Sequence, residues 1–147
     1  MILPDVNVLI YAFREDSRGH ERYRLWLESV VGGEMAYGMS PQVLGAVVRI
    51  VTHPRILAPP TPLEDALAFA DVLVDQPHCQ VIQPGPRHWG IFRGLCRRAR
   101  ASGNLVQDAW FAALAIESGC EWITTDRDYA RFEGLRWRAP LLESNDT

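Results

Sequence analysis

Two acidic clusters at opposite ends of the chain each follow a short apolar run. Asp5 comes directly after residues 2–4, and Asp126 and Asp128 come after residues 122–125. In an open α/β sheet, ligands bind outside the carboxyl ends of the strands. If both runs are strands of one parallel sheet, Asp5 and Asp126 meet at that edge. Converging carboxylates repel one another unless a cation lies among them, so the pattern indicates a Mg²⁺ or Mn²⁺ enzyme working on phosphate esters.

A further acid, Asp108, stands near the start of an apolar helical segment, 106–118. One interpretation is a favourable charge near the positive end of the helix dipole. The other is that a carboxylate entering a buried helix face needs a partner, which a metal ion would supply. Asp5 and Asp126 have a comparable alternative, because each can cap a following helix, with Asn7 assisting Asp5. Asp128 is a possible further ligand.

The basic residues are all arginine, fifteen in number, and the sequence contains no lysine. Chemistries that need a lysine, such as that of P-loop NTPases, are therefore excluded. A formal net charge of −3 gives no support to a generally basic nucleic-acid binder. The densest basic run, 87–100, contains Arg93, Arg97 and Arg98. It is either a solvated helix face or a surface that contacts an RNA backbone.

Short apolar runs alternate with helical segments along the chain. We predict strands at 2–4, 35–39, 81–82 and 122–125, and helices at 8–13, 20–31, 41–52, 62–75, 86–101, 106–118 and 127–132. This alternation predicts an α/β domain on a parallel sheet. Pro4 cannot donate to a strand ladder, so we expect a break in pairing beside it. A capping box is predicted at 61–64.

The bulk properties predict one domain over residues 1–147, with a short tail from about residue 141. No apolar stretch approaches membrane-spanning length, and the N-terminus has no basic leader typical of a signal peptide. Cys79, Cys96 and Cys120 are odd in number and widely spaced. They are interpreted as reduced core thiols of a cytoplasmic protein.

With these residues in place, the sequence resembles the PIN-domain ribonucleases, and specifically the VapC-type toxins of bacterial toxin–antitoxin systems in a mycobacterial branch. Four segments carry the resemblance in the expected order: DVNVLIYA at 5–12, VRIVTHPR at 48–55, GNLVQDA at 103–109 and TTDRDY at 124–129. Each segment alone is a weak signal. Together they extend over nearly the whole chain.

The resemblance implies a PIN-like three-layer sandwich, with a short central, mostly parallel sheet flanked by helices. It implies that Asp5, Asp108 and Asp126 are the catalytic acids that bind Mg²⁺ or Mn²⁺. Asn7 matches a supporting polar position, and Asp128 matches an acid that is often present. The family's second acid is usually a Glu on the helix after the second strand, where this sequence has Ala46. This departure leads us to expect one metal ion rather than two.

The function implied is that of an endoribonuclease toxin that hydrolyses RNA phosphodiester bonds. Its substrate would be transfer or ribosomal RNA, and it would be a cytoplasmic homodimer silenced by a small VapB-type antitoxin, with no membrane partner. In this interpretation Arg93, Arg97 and Arg98 hold the RNA backbone. Because of Ala46, a catalytically weak PIN domain that only binds RNA or its antitoxin is a second hypothesis. A phosphatase is a third, disfavoured by the missing lysine.

Overall fold

The structure is a computed structural model, and it describes residues 1–141. The predicted tail therefore lies, apart from Leu141, outside the described residues.

Strands and helices alternate along this part of the chain. The strands are β1 (Ile2–Pro4), β2 (Tyr37–Met39), β3 (Cys79–Val81), β4 (Glu121–Ile123) and β5 (Trp137–Arg138). The helices are α1 (Val6–Phe13), α2 (His20–Val31), α3 (Pro41–Val51), α4 (Leu63–Val74), α5 (His88–Ala99) and α6 (Asn104–Ser118), and a 3₁₀ helix covers Arg127–Arg131.

The strands form two small parallel sheets that lie side by side. β4 pairs with β1 on one side and β5 on the other, and β2 pairs with β3. At the junction a Cβ on Gly38 would lie only 3.3 Å from the backbone oxygen of Ile2, so β2 runs directly beside β1. Because all the pairs are parallel, the carboxyl ends of β1 and β4 share one edge.

The predicted break in pairing beside Pro4 is confirmed, because β1 lies at the edge of its sheet where the two sheets meet. The backbone N–H of Asp5 donates to the oxygen of Ile123 at 2.8 Å, towards β4. The backbone nitrogen of Pro4 therefore faces the opposite side, towards β2. As a proline nitrogen it has no hydrogen to donate there.

Helices cover the strands and enclose one apolar core. α1 packs on α2 and α3, α3 packs on α4, and α5 packs on α6. The core is completed by fully buried side chains of the strands and of the helices that follow them, among them Leu3, Leu9, Met39, Val43, Leu114 and Trp122. The predicted α/β class is confirmed. Within residues 1–141, no helix combines the length and the apolarity needed to cross a membrane.

Several predicted boundaries need correction. α1 begins at Val6 rather than Val8, because the Asp5 side chain caps it directly. α5 covers His88–Ala99 rather than 86–101, and Arg100 ends it with a φ of 51°. The predicted capping box at 61–64 is wrong: α4 has no side-chain cap, and the Thr61 hydroxyl instead accepts a hydrogen bond from Arg14 at 3.1 Å.

Two strand predictions also differ from the structure. β3 lies at Cys79–Val81 rather than 81–82, because its position is set by pairing with β2. β5 was not predicted, since its two residues carry no periodic pattern. The three cysteines are free, as expected, with Cys120 buried and Cys79 and Cys96 half-buried.

Candidate active site

A cavity of about 730 Å³ opens at the carboxyl ends of β1 and β4, between α3 and α6. The structure brings together there every acid predicted from the sequence, although they come from separate parts of the chain. The lining includes Asp5, Asn7, Ala46, Arg49, Asp108, Asp126, Asp128 and Tyr129.

Asp5 is a helix cap, as one of its two sequence interpretations expected, and it also lines the cavity. Its Oδ1 accepts the backbone N–H of Val6 at 2.6 Å, which satisfies a free donor at the start of α1. Its Oδ2 accepts the hydroxyl of Thr124 at 2.6 Å. The residue is only 5% exposed. Asn7 lines the same cavity but makes no hydrogen bond to Asp5 in the part of the chain that is described.

Thr124 is a functional residue that the sequence reasoning missed. It is completely buried, and its hydroxyl donates to Asp5 while accepting the backbone N–H of Asp126 at 3.0 Å. One side chain therefore joins the ends of β1 and β4. The only signal in the sequence is its place near the end of the predicted strand 122–125, which many threonines share.

Asp126 combines a cap with a place in the cavity, as Asp5 does. Its Oδ1 accepts the backbone N–H of Asp128 at 2.9 Å and so caps the 3₁₀ helix Arg127–Arg131, as predicted. Asp128 is exposed, and its Oδ1 lies 3.9 Å from Nε of Arg131. Both carboxylates line the cavity, with Asp126 the less exposed of the two.

Asp108 enters the cavity from α6 and is held by a second residue that the sequence did not reveal, Tyr129. The phenolic hydroxyl of Tyr129 donates to Oδ1 of Asp108 at 3.3 Å. The tyrosine is 1% exposed, and its ring packs against Trp122 and Phe132, with centroids 5.5 and 5.9 Å away. This packing leaves the hydroxyl directed at the carboxylate.

Burial and repulsion from neighbouring acids raise the pKa values of Asp5 and Asp108 above that of a free aspartate. Burial raises the pKa of Asp5 to about 6, against the hydrogen bonds from Thr124 and Val6, and the charges of Asp108 and Asp126 add to the rise. The pKa of Asp108 is raised by burial and by Asp126, and the Tyr129 hydroxyl lowers it in part. A cation in the cavity would relieve both effects.

The binding of a metal ion by Asp5, Asp108 and Asp126 stays a prediction. Among residues 1–141, no group of three or more His, Cys, Asp or Glu side chains is arranged to hold a metal ion in this structure. Each carboxylate is instead held by a local donor. The donor chemistry still suits Mg²⁺ or Mn²⁺, since all the acids offer hard oxygens and the buried Asp5 needs a positive partner.

The position of the missing family acid falls on the cavity wall, as expected. Ala46 lines the cavity from α3, and Gln42 and Arg49 lie on the same wall. The guanidinium of Arg49 is exposed and makes no ion pair within the described residues. This part of the wall therefore carries a methyl group and a cation instead of a further carboxylate.

The basic residues of α5 lie elsewhere. Arg93, Arg97 and Arg98 are exposed on that helix, and none of them lines the acidic cavity. They occupy a surface outside this cavity, and their predicted contact with RNA stays a prediction.

Comparison with known proteins agrees with the predicted family and fold. A model of the PIN domain matches residues 2–135. The chain is 42% identical over 141 residues to VapC ribonuclease Mb2897 of Mycobacterium bovis, covering 96% of each chain. It is 39% identical over 142 residues to ribonuclease VapC25 of Mycobacterium tuberculosis, covering 97% of this chain and all of the relative. The chain belongs to the PIN-domain family and, within it, to the VapC ribonucleases.

Solved structures show the same fold at low sequence identity. VapBC2 from Rickettsia felis, bound to a promoter DNA fragment, has a TM-score of 0.68 at 16% identity, covering 95% of this chain and 98% of that one. VapC20 of Mycobacterium tuberculosis, described as a toxin that cleaves the sarcin–ricin loop, has a TM-score of 0.62 at 15% identity, covering 92% and 99%. The predicted family and the PIN-like architecture are thereby confirmed.

Proposed function

We propose that this protein is a metal-dependent endoribonuclease toxin that hydrolyses RNA phosphodiester bonds and is neutralised by a small VapB-type antitoxin. The observation that carries the proposal is the convergence of Asp5, Asp108, Asp126 and Asp128 on one cavity. The charges of their neighbours raise the pKa values of Asp5 and Asp108, so a cation bound in the cavity would stabilise their ionised forms. The names of the VapC relatives support the same activity.

Asp5, Asp108 and Asp126 would hold Mg²⁺ or Mn²⁺, with Asp128 as an additional acid. When bound, such an ion supplies Lewis-acid chemistry: it lowers the pKa of water and offsets charge that grows on a scissile phosphate. The surrounding residues orient the ligands. Thr124 fixes Asp5 relative to Asp126, and Tyr129 stays protonated because burial and the nearby acids raise its pKa, so its hydroxyl remains a donor to Asp108.

Arg49 gives the cavity a cation that could bind the substrate. A guanidinium forms strong, charge-assisted hydrogen bonds to phosphate oxygens. Arg49 lines the same cavity as the acids, and the small side chain of Ala46 lies on the same helix. A phosphodiester entering the cavity would therefore meet a cation as well as carboxylates. Asn7 supports this polar lining, and Arg93, Arg97 and Arg98 would hold another part of the RNA backbone.

The partners follow from the same family membership. Structures of relatives contain a VapC-type toxin together with its VapB antitoxin. For this protein we propose a homodimer in the cytoplasm, silenced by an antitoxin whose tail carries an arginine into the acidic cavity. Transfer RNA and ribosomal RNA are the proposed substrate classes.

A catalytically weak PIN domain that only binds RNA or its antitoxin is the second candidate. Two observations favour it: Ala46 occupies the cavity wall where a carboxylate would help to hold a cation, and the acids among residues 1–141 are not assembled as a ligand group. It predicts RNA binding without turnover at any metal concentration.

One experiment separates the two. Purified protein is incubated with 5′-labelled transfer and ribosomal RNA, and with p-nitrophenyl phosphate, in EDTA, Mg²⁺ or Mn²⁺. The proposal expects metal-dependent RNA cleavage that is absent in Asp5→Asn, with no release of p-nitrophenol. Binding without cleavage at every metal concentration would favour the second candidate, and hydrolysis of p-nitrophenyl phosphate alone would contradict both.

A further inference from the structure

A second cavity, of about 860 Å³, lies on the other side of the turn that follows β4. Its walls come from the end of α1, the start of α2, the 3₁₀ helix and β5. Its volume lies within the range of roughly 300–1,000 Å³ typical of ligand sites. We name it the arginine cavity after the basic side chains that line it: Arg18, Arg22 and Arg127.

The electrostatic character of the arginine cavity is opposite to that of the acidic one. No aspartate or glutamate of residues 1–141 lines it. All three arginines are exposed, although Arg22 and Arg127 also have other partners in the structure. Three guanidiniums around one concavity create a positive potential that attracts phosphate groups.

Aromatic rings form another part of the same lining. Tyr11 and Tyr23 pack together with their ring centroids 5.1 Å apart and their planes tilted by 58°. Trp137 lines the cavity from β5. The rings of all three are only partly covered by the rest of the chain. Aromatic faces beside a cationic groove are the combination that binds single-stranded nucleic acid, because bases stack on the rings while the cations bind the backbone.

The two cavities adjoin at Thr124. This residue lines the arginine cavity, and its hydroxyl binds Asp5 in the acidic one. An RNA strand is a polyanion and gains little from an acidic cavity that lacks a cation. A strand held by cations on one side of the turn could present its next phosphate to the acids on the other.

We propose that the arginine cavity binds the single-stranded RNA segment next to the scissile phosphate. Arg18, Arg22 and Arg127 contact its phosphates, and a base stacks on Tyr23 or Trp137. This proposal rests on the proposed ribonuclease function and adds a binding subsite to it. The carboxylates of an acidic peptide could also bind the arginines, but they would leave the aromatic rings without a partner. RNA supplies phosphates for the arginines and bases for the rings in every nucleotide, and for that reason we favour RNA.

The test measures RNA binding rather than cleavage. The probe is a fluorescein-labelled single-stranded RNA of twelve nucleotides with mixed sequence, titrated in EDTA at several salt concentrations and followed by fluorescence anisotropy. The variants are Arg18→Gln and Tyr23→Leu. Arg55→Gln is the matched control, since Arg55 is exposed and lines neither cavity. Thermal melting checks that each variant is folded.

The two variants should differ in a way that a general loss of structure would not produce. Arg18→Gln should weaken binding and reduce the slope of log K against log salt by roughly 0.7, the value for one phosphate contact to a single strand. Tyr23→Leu should weaken binding about tenfold with an unchanged slope, because stacking is not electrostatic. Arg55→Gln should bind as the wild type does.

Two outcomes would overturn the subsite. One is wild-type RNA affinity and slope in both variants. The other is normal RNA binding combined with weaker binding of an acidic peptide, which would assign the cavity to a protein partner. If the wild type fails to cleave RNA with Mg²⁺ or Mn²⁺ but both variants show the expected loss of RNA affinity, the ribonuclease function is contradicted. The arginine cavity would then remain an RNA-binding site.

Discussion

The hydroxyl of Thr124 donates a 2.6 Å hydrogen bond to Oδ2 of Asp5, although 119 residues separate them in the chain. The same hydroxyl oxygen accepts the backbone N–H of Asp126. A single buried side chain thus sets the positions of two acids that follow different strands, β1 and β4, and it also lines the arginine cavity.

Thr124→Val should damage catalysis while leaving the fold intact, because valine has the same shape but no hydroxyl. The hydrogen bond that is removed lowers the pKa of Asp5, so in the metal-free protein that pKa should rise further above about 6. Protons should then compete with the metal ion up to a higher pH, which shifts the acid limb of the pH–rate profile upwards at a limiting metal concentration. A hydrogen bond to a charged group contributes about 1.5–3 kcal/mol, which predicts roughly a tenfold to hundredfold loss in kcat/KM near neutral pH. The measurement is kcat/KM across the pH range on either side of neutrality. Thr124→Ser should restore both values, and a wild-type profile in Thr124→Val would show that the bond is incidental.

Asp5→Asn should change how stability depends on pH in metal-free protein. The native pKa of Asp5 is about 6 against an ordinary 3.8, so the native state holds more protons between those values. The free energy of unfolding should therefore fall as pH rises through this window, by up to about 3 kcal/mol. Above the native pKa of about 6 the penalty is complete.

Asparagine carries no such penalty but can accept only one of the two hydrogen bonds that Asp5 accepts. We therefore expect Asp5→Asn to unfold at a lower temperature than the wild type in mild acid, near the ordinary aspartate pKa, and at an equal or higher one at neutral pH. Thermal melts in EDTA under both conditions test this. A constant difference between the two proteins at all pH values would contradict the raised pKa.

Ala46 predicts that the wild type binds one Mn²⁺ rather than two, because the wall of α3 supplies no carboxylate. Ala46→Glu should tighten Mn²⁺ binding in a calorimetric titration, unless the new carboxylate pairs with Arg49. Ala46→Gln is the matched control, with similar size and no charge, and should show no gain. Two tight sites in the wild type would contradict this interpretation of the cavity.

Asp128 should compensate for the missing acid. Its charge contributes to the raised pKa of Asp108, so it acts within the same cluster. We expect Asp128→Asn to weaken Mn²⁺ binding nearly as much as Asp126→Asn, even though Asp128 is the more exposed. If Asp128→Asn binds Mn²⁺ as tightly as the wild type does, Asp128 does not take part in the metal site.

The basic helix α5 allows a separate test of RNA binding. Replacing Arg93, Arg97 and Arg98 together by Gln should weaken RNA binding at low salt. The slope of log K against log salt should fall by about 0.7 for each phosphate that the helix no longer binds. The arginines lie outside both cavities, so kcat at saturating RNA should stay unchanged. Unchanged affinity and slope would identify the run as a solvated helix face.

Local features of this protein could be predicted from the sequence because their causes lie within a few residues. The apolar spacing of His20–Val31 predicted that helix to the residue, and Ser40 followed by Pro41 predicted the start of α3. Asp5 and Asp126 could be predicted as site residues because each follows a strand. Asp5 also caps the helix that comes next in the chain. These depend on side chains and backbone groups that are neighbours in the chain.

What holds the acids in place was decided only by the tertiary structure. Thr124 reaches Asp5, and Tyr129 reaches Asp108, through contacts between strands and helices far apart in the sequence. The raised pKa of Asp5 has the same origin, because it depends on burial and on two acids from other elements. Arg18 and Trp137 form one cavity beside Thr124 only once α2 and β5 are packed. Periodicity along a chain carries no information about which distant surfaces meet, and packing supplies it.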